Sequence, residues 1–181
     1  MHTQLAQVLA DLTHMTSAQF LERHTDPWLL CEIHRALPST PAADILVPST
    51  ARSVPVDVAP VDRRLNPNSL LALGDRWMLH PVQKSDRNPW AERILVGRAR
   101  NNDIVLSIQS VSRLQCYFVR KGAGFQLFAC KTTSRTLLDG RPLLPGEGVD
   151  VQDGHQLVLG TVTAYFLEGS SLLSLLGRRK T

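Results

Sequence analysis

Between Leu70 and Leu167 the chain breaks into nine short apolar runs separated by turn-forming residues, with no helical stretch between them. The runs are Trp77–Leu79, Ile94–Val96, Ile104–Leu106, Cys116–Val119, Phe125–Phe128, Thr136–Leu138, Gly148–Val151, Gln156–Leu159 and Val162–Leu167. Strands this short and this closely spaced bury a core only by pairing antiparallel in two layers or a closed barrel. Lys121-Gly122-Ala123-Gly124 reads as a hairpin loop. Asp139-Gly140 reads as the two-residue turn whose positive φ angles Asp and Gly tolerate.

The first forty residues have a different texture. Leu5, Val8, Leu9, Leu12 and Met15 recur at three- and four-residue spacing and predict one helix. Thr16 with Gln19 has the form of a capping box ahead of Phe20 and Leu21, which begin the next apolar face. Asp26 before Pro27 reads as a further cap, with Trp28, Leu29, Leu30, Ile33 and Leu37 as the buried stripe of a helix that Pro38 ends. From Pro38 to Pro67, prolines interrupt short runs of Val, Ala and Ser, as in a partly extended linker. Ile45–Val47 and Val54–Val58 within it are apolar enough to lie against a sheet edge. Ser170 caps a last expected helix bearing Leu172, Leu173, Leu175 and Leu176, followed by the basic run Arg178–Lys180. The expected division is a helical segment over 1–37, a proline-rich linker over 38–67, a β-sandwich over 68–168 and a short helix or basic tail over 169–181. On this reading a chain beginning at Asn68 keeps a cooperative melt.

Charge and cysteine content narrow the setting. From Asp86 onward there are thirteen basic and eight acidic residues, so the positive excess sits in the second half. A basic surface suits nucleic acid, anionic lipid or a phosphorylated peptide. Nucleic acid is not expected, because the arginines are spread over different strands and do not alternate with aromatic residues as a stacking platform requires. Cys31, Cys116 and Cys130 are odd in number, widely spaced and without a C-x-x-C, which predicts core thiols in a reducing compartment. No run approaches the length of a membrane-spanning helix and Met1–Asp11 has no signal-peptide form, so the expected location is cytoplasmic. Cys31 and His34 alone have ligand-like spacing, and two ligands do not make a structural zinc site. Phosphate-cradle, nucleophile-elbow and zinc-protease motifs are absent from the sequence.

A series of local motifs then narrows the sandwich. Gly97-Arg98 closes a strand, Asn102-Asp103-Ile104 follows, and Ser112-Arg113 opens another. After these come Thr132-Thr133-Ser134-Arg135-Thr136, Asp139-Gly140 with Leu143, and Gln152-Asp153-Gly154-His155 with Leu157 and Leu159-Gly160. In order and spacing the series resembles the forkhead-associated (FHA) family over about one hundred residues. The resemblance implies a mainly β fold: an eleven-stranded antiparallel sandwich, here with a short N-terminal helical segment and a short C-terminal helix. It also implies loops at one end that bind a phosphothreonine peptide, with no catalysis, cofactor or metal.

Carried onto this sequence, the family's phosphopeptide-binding positions are Arg98, Ser112, Arg113, Thr133, Ser134 and Arg135. Arg98 would supply a guanidinium fork, Ser112 a hydroxyl, and Arg113 a contact to phosphate or peptide backbone. The implied partner is a threonine-phosphorylated protein such as a serine/threonine kinase or its substrate, and the implied role is that of a signalling adaptor. Three positions depart from the family. Gln115 stands where a histidine ties the binding loops together, Ser134 where an asparagine steadies the peptide backbone, and Arg135 where a glycine follows. These departures motivate an alternative, a degenerate domain acting as a phosphorylation-independent interaction module.

Overall fold

The computed structural model describes residues 8, 10, 11, 14–32 and 77–177. The strands are β1 (Trp28–Glu32), β2 (Trp77–Pro81), β3 (Arg93–Gly97), β4 (Ile104–Val105), β5 (Cys116–Lys121), β6 (Gly124–Ala129), β7 (Thr136–Leu138), β8 (Arg141–Pro142), β9 (Gly148–Val151), β10 (Gln156–Leu159) and β11 (Val162–Leu167). They form a six-stranded sheet in the order β2-β1-β11-β10-β7-β8 and a five-stranded sheet in the order β4-β3-β5-β6-β9. All pairs are antiparallel except β3 with β4. The nine expected strands are all present, and β7, β9, β10 and β11 have the expected bounds. The two tight turns also form, with Gly122 at φ 59°, Asp139 at 49° and Gly140 at 80°.

Residues 28–32 correct the helix expected there. They form a strand seated between β2 and β11, with Leu30 opposite Leu79 on one side and Tyr165 on the other. Asp26 does not cap a helix; its carboxylate takes a hydrogen bond from Arg120 Nη2 at 2.6 Å. The sequence misleads because Trp28-Leu29-Leu30-Cys31 is apolar at every position, so neither a two-residue nor a 3.6-residue period shows. The reason for that run is that both faces of β1 are covered. Leu29 and Cys31 point into the sandwich core with Phe118, Leu127, Leu157 and Phe166. Trp28 and Leu30 point outward into a second cluster with Val8, Phe20, Trp77, Leu79, Leu172 and Leu175. The sandwich therefore begins at Trp28, not near Asn68.

Two helices with described bounds lie on that outer face. α1 (Ser17–Arg23) starts at Thr16 with the predicted capping box, in which the Gln19 N–H donates to Thr16 Oγ1 and the Thr16 N–H donates to Gln19 Oε1. Its Phe20 is fully buried, as is Leu172 of α2 (Gly169–Gly177), and Leu175 of α2 is buried in the same cluster. α2 begins one residue before Ser170, so Ser170 is not its cap. The expected first helix lies largely outside the described residues, although residues 8, 10, 11 and 14 are helical and Val8 is buried. The expected linker, its Ile45–Val47 and Val54–Val58 runs, and the basic tail also lie outside them. Among the described residues no helix is long and apolar enough to cross a membrane. Cys31 and Cys116 are buried core thiols, as expected, while Cys130 is half-buried.

The strand directions place the β3–β4, β4–β5 and β6–β7 loops and the β10–β11 turn at one end. There Ser110 Oγ lies 2.6 Å from Thr161 Oγ1, and the Gly160 N–H donates to the Arg135 carbonyl at 3.1 Å. Gly160 has φ 63°, and a Cβ on it would fall 2.2 Å from the Ser110 carbonyl oxygen, so a side chain is excluded. The β1 and β2 termini facing residues 33–76 are at this same end, since Glu32 pairs with both Trp77 and Thr163.

Candidate phosphopeptide-binding groove

The groove is built from three loops that hold one another. The β3–β4 loop leaves β3 at Gly97, where an added Cβ would lie 2.5 Å from the Arg113 carbonyl oxygen; only glycine lets the β4–β5 loop come so close. Backbone bonds follow, from Arg98 N–H to the Ser112 carbonyl at 2.9 Å and from Ala99 N–H to the Arg113 carbonyl at 3.1 Å. Asn102 is buried and clamps the same junction, its Nδ2 donating to the Ala99 carbonyl at 2.8 Å and the Arg113 carbonyl at 2.7 Å.

Asp103 anchors the other side of the β3–β4 loop. Its carboxylate is shielded from solvent and accepts from Lys84 Nζ at 2.9 Å, Ser85 N–H at 2.8 Å, Ser85 Oγ at 2.7 Å, Asn88 Nδ2 at 3.0 Å and Leu95 N–H at 2.7 Å. Burial alone would raise its pKa. The hydrogen bonds from Ser85, Leu95, Asn88 and Lys84 outweigh that and bring it down to about 2.

Gln115 ties the β4–β5 loop to the β6–β7 loop. It is fully buried; its Oε1 accepts from the Ser112 N–H at 3.0 Å. Its Nε2 meets the carbonyls of Ser134 and Arg135, each at 3.2 Å, and Thr136 Oγ1 at 2.8 Å. One N–H faces one amide end and a cluster of acceptors faces the other, which fixes the orientation of the side chain. Glutamine thus bridges the loops where the family resemblance places a histidine. Replacing it with leucine keeps the volume but strands the Ser112 N–H and the two carbonyls. Gln115→Leu is expected to cost about 2–4 kcal/mol. The check is a denaturant titration, paired with faster amide exchange at Ser112; unchanged stability would show that the bridge is dispensable.

The groove between these loops has a volume of 440 Å³ and is lined by residues that include Arg98, Ser112, Arg113, Thr133 and Ser134. Five of the six sequence-predicted residues therefore come together. Arg135 does not line the groove; its backbone serves the loop through the Gln115 and Gly160 bonds, and its side chain is exposed. Arg98 is held by its Nε, which donates to the Val111 carbonyl at 3.1 Å, leaving its terminal nitrogens without a partner among the described residues. Ser112 Oγ donates to Ser134 Oγ at 3.1 Å, and Ser134 Oγ donates to the Ser110 carbonyl at 2.7 Å. The hydroxyl of Ser134 is thus turned into the loop.

Sequence reasoning left out Lys131, Thr132 and Gln109, which also line the groove. Lys131 stands immediately before the Thr132–Thr136 motif, so its proximity was the available signal. Arg98, Arg113 and Lys131 are exposed, no carboxylate lines the groove, and none of the three is ion-paired among the described residues.

Comparison with known proteins agrees with this arrangement. The sequence profile of the FHA domain family matches residues 94–160, the stretch from β3 to the β10–β11 turn that carries all three loops. This chain carries an FHA domain. The FHA sandwich here extends past the matched stretch, since β1, β2 and β11 complete the six-stranded sheet. No curated protein matches the chain closely enough to count as a relative. Among solved structures it is similar to Mycobacterium tuberculosis EmbR in complex with a low-affinity phosphopeptide, at 20% identity and TM-score 0.43, covering 50% of this chain and 22% of that one. It is also similar to the N-terminal FHA domain of S. cerevisiae Rad53p in complex with a phosphothreonine peptide, at 12% identity and TM-score 0.43, covering 54% and 89%. A third is the FHA domain of an Arabidopsis thaliana hypothetical protein, at 24% identity and TM-score 0.40, covering 42% and 66%.

Proposed function

We propose that the groove binds a phosphothreonine of a partner protein and that the chain acts as a non-catalytic adaptor. The observation that carries the reading is that, among the described residues, three cations without an ion-pair partner and no carboxylate line a groove whose walls are braced loops. A phosphate carries a charge of about −1.5 to −2 at neutral pH with several strong acceptor oxygens, and it is held best by a guanidinium, hydroxyls and little else that moves. Arg98 is fixed by its Nε yet keeps its terminal nitrogens open, so the fork is oriented before ligand arrives. Ser112 gives up its bond to Ser134 when it turns to a phosphate oxygen, while Ser134 keeps its bond to the Ser110 carbonyl. The match of residues 94–160 to the FHA domain family supports the reading. The partner then belongs to serine/threonine kinase signalling, and the unpaired thiols suit the cytoplasm.

Arg98→Ala tests the assignment. Loss of two charge-assisted hydrogen bonds is expected to weaken phosphothreonine-peptide binding at least about 100-fold, while the melting curve moves little because only one bond to Val111 is lost. The inward Ser134 hydroxyl favours the second reading, a phosphate-independent module. Equal binding by the wild type and the variant would establish that reading instead.

A further inference from the structure

We infer that Lys131 makes this groove prefer a phosphothreonine with an aspartate or glutamate close by in the partner's sequence. The inference rests on the phosphothreonine reading above. The groove holds three cations from three loops: Arg98 after β3, Arg113 before β5 and Lys131 after β6. Arg98 and Arg113 stand on two loops joined by the Arg98–Ser112 and Ala99–Arg113 backbone bonds, and both line the groove. That pair balances a phosphate dianion by itself. Lys131 is on the third loop, and the charge it brings is surplus to the phosphate.

Among the described residues this surplus has no counter-charge. No aspartate or glutamate lines the groove, and Arg135 adds another exposed cation to the same loop. The other residues around Lys131 in the groove wall, Thr132 and Thr133, are neutral. A peptide that brings only a phosphate leaves the ammonium without a counter-charge in the groove. A peptide that adds a carboxylate relieves this, and one that adds a lysine or arginine makes it worse. An ammonium on a flexible four-carbon stem meets a carboxylate as a point charge, without the fixed geometry that a guanidinium demands. Lys131 can therefore follow a carboxylate at more than one position along an extended peptide, which advances about 3.3 Å per residue.

The test uses the full chain and phosphothreonine peptides carrying one aspartate, alanine or lysine at each of the three positions on either side. The expected wild-type result is a preference of roughly three- to fivefold for aspartate over alanine at one or two of these positions, shrinking as salt is raised. Lys131→Ala should remove that preference, read as the ratio of aspartate- to alanine-flanked affinities, and Lys131→Glu should turn it into a preference for lysine. Lys131 is exposed, so neither variant disturbs folding. If Lys131→Ala weakens every phosphopeptide equally, Lys131 binds the phosphate itself and the inference is overturned. A preference that persists unchanged in Lys131→Glu overturns it too. In both cases the phosphothreonine reading stands; if the wild type binds none of the phosphopeptides, both fall together.

Discussion

A chain beginning at Asn68 is expected to lose its cooperative unfolding transition. It lacks β1, which sits inside the six-stranded sheet with a hydrogen-bonded neighbour on each side. Its removal separates β2 from β11 and strips both hydrophobic clusters of shared members, because Leu29 and Cys31 belong to one and Trp28 and Leu30 to the other. Burying a large apolar side chain contributes about 1.5–3 kcal/mol, so the residues of β1 together match the 5–15 kcal/mol net stability of a typical domain. α1 is lost at the same time, uncovering the outer face of the sheet. Thermal and urea melts of the two chains, followed by tryptophan fluorescence and far-UV circular dichroism, decide the matter. A sharp transition in the shorter chain would mean that β1 is peripheral and that the fold begins where the proline-rich stretch ends.

Asp103→Ala is expected to destabilise the protein by about 3 kcal/mol, because it leaves the Leu95 and Ser85 N–H groups and the Lys84 ammonium without their acceptor. The effect has a defined pH signature. The folded carboxyl titrates near 2 rather than its model-compound value of 3.8, so the folded state favours the ionised form. Its contribution is complete above the unfolded value and disappears as pH falls through the folded one. The stability gap between wild type and variant should therefore hold constant from pH 8 to 5 and narrow between about pH 4 and 2. Urea titrations at several pH values measure it, and a gap that stays the same at pH 2 would show that the carboxylate is not what binds those donors. Because Asp103 anchors the loop that begins at Arg98, the variant should also bind phosphopeptide less tightly at neutral pH.

The fold was legible wherever a strand has one covered face, or where a turn demands a particular residue. Cys116–Val119, Gln156–Leu159 and the Asp139-Gly140 turn all announce themselves in this way. β1 was not legible because the helices cover its outer face, leaving an unbroken apolar run that carries no period. β8, Arg141–Pro142, escaped because two exposed residues after a turn offer no pattern. In the groove, the motif residues Arg98, Ser112, Arg113, Thr133 and Ser134 were readable from their order along the chain. Lys131 was not, since its place depends on how the β6–β7 loop folds back over the β4–β5 loop. Nor could the sequence show that Gln115 keeps the loop bridge, or that the Ser134 hydroxyl turns inward. Both depend on which backbone groups happen to lie within hydrogen-bond reach.

In the proposed function, phosphate on a threonine is what the groove recognises. The measurement that tests it most directly is the affinity of the intact protein for one peptide pool prepared in three forms, with threonine, phosphoserine or phosphothreonine at the fixed position, at physiological salt. The expected result is measurable binding of the phosphothreonine form and little binding of unmodified threonine, with affinity rising as pH is raised through about 6, where phosphate gains its second charge. Equal affinity for the modified and unmodified pools, with no step in pH, would contradict it.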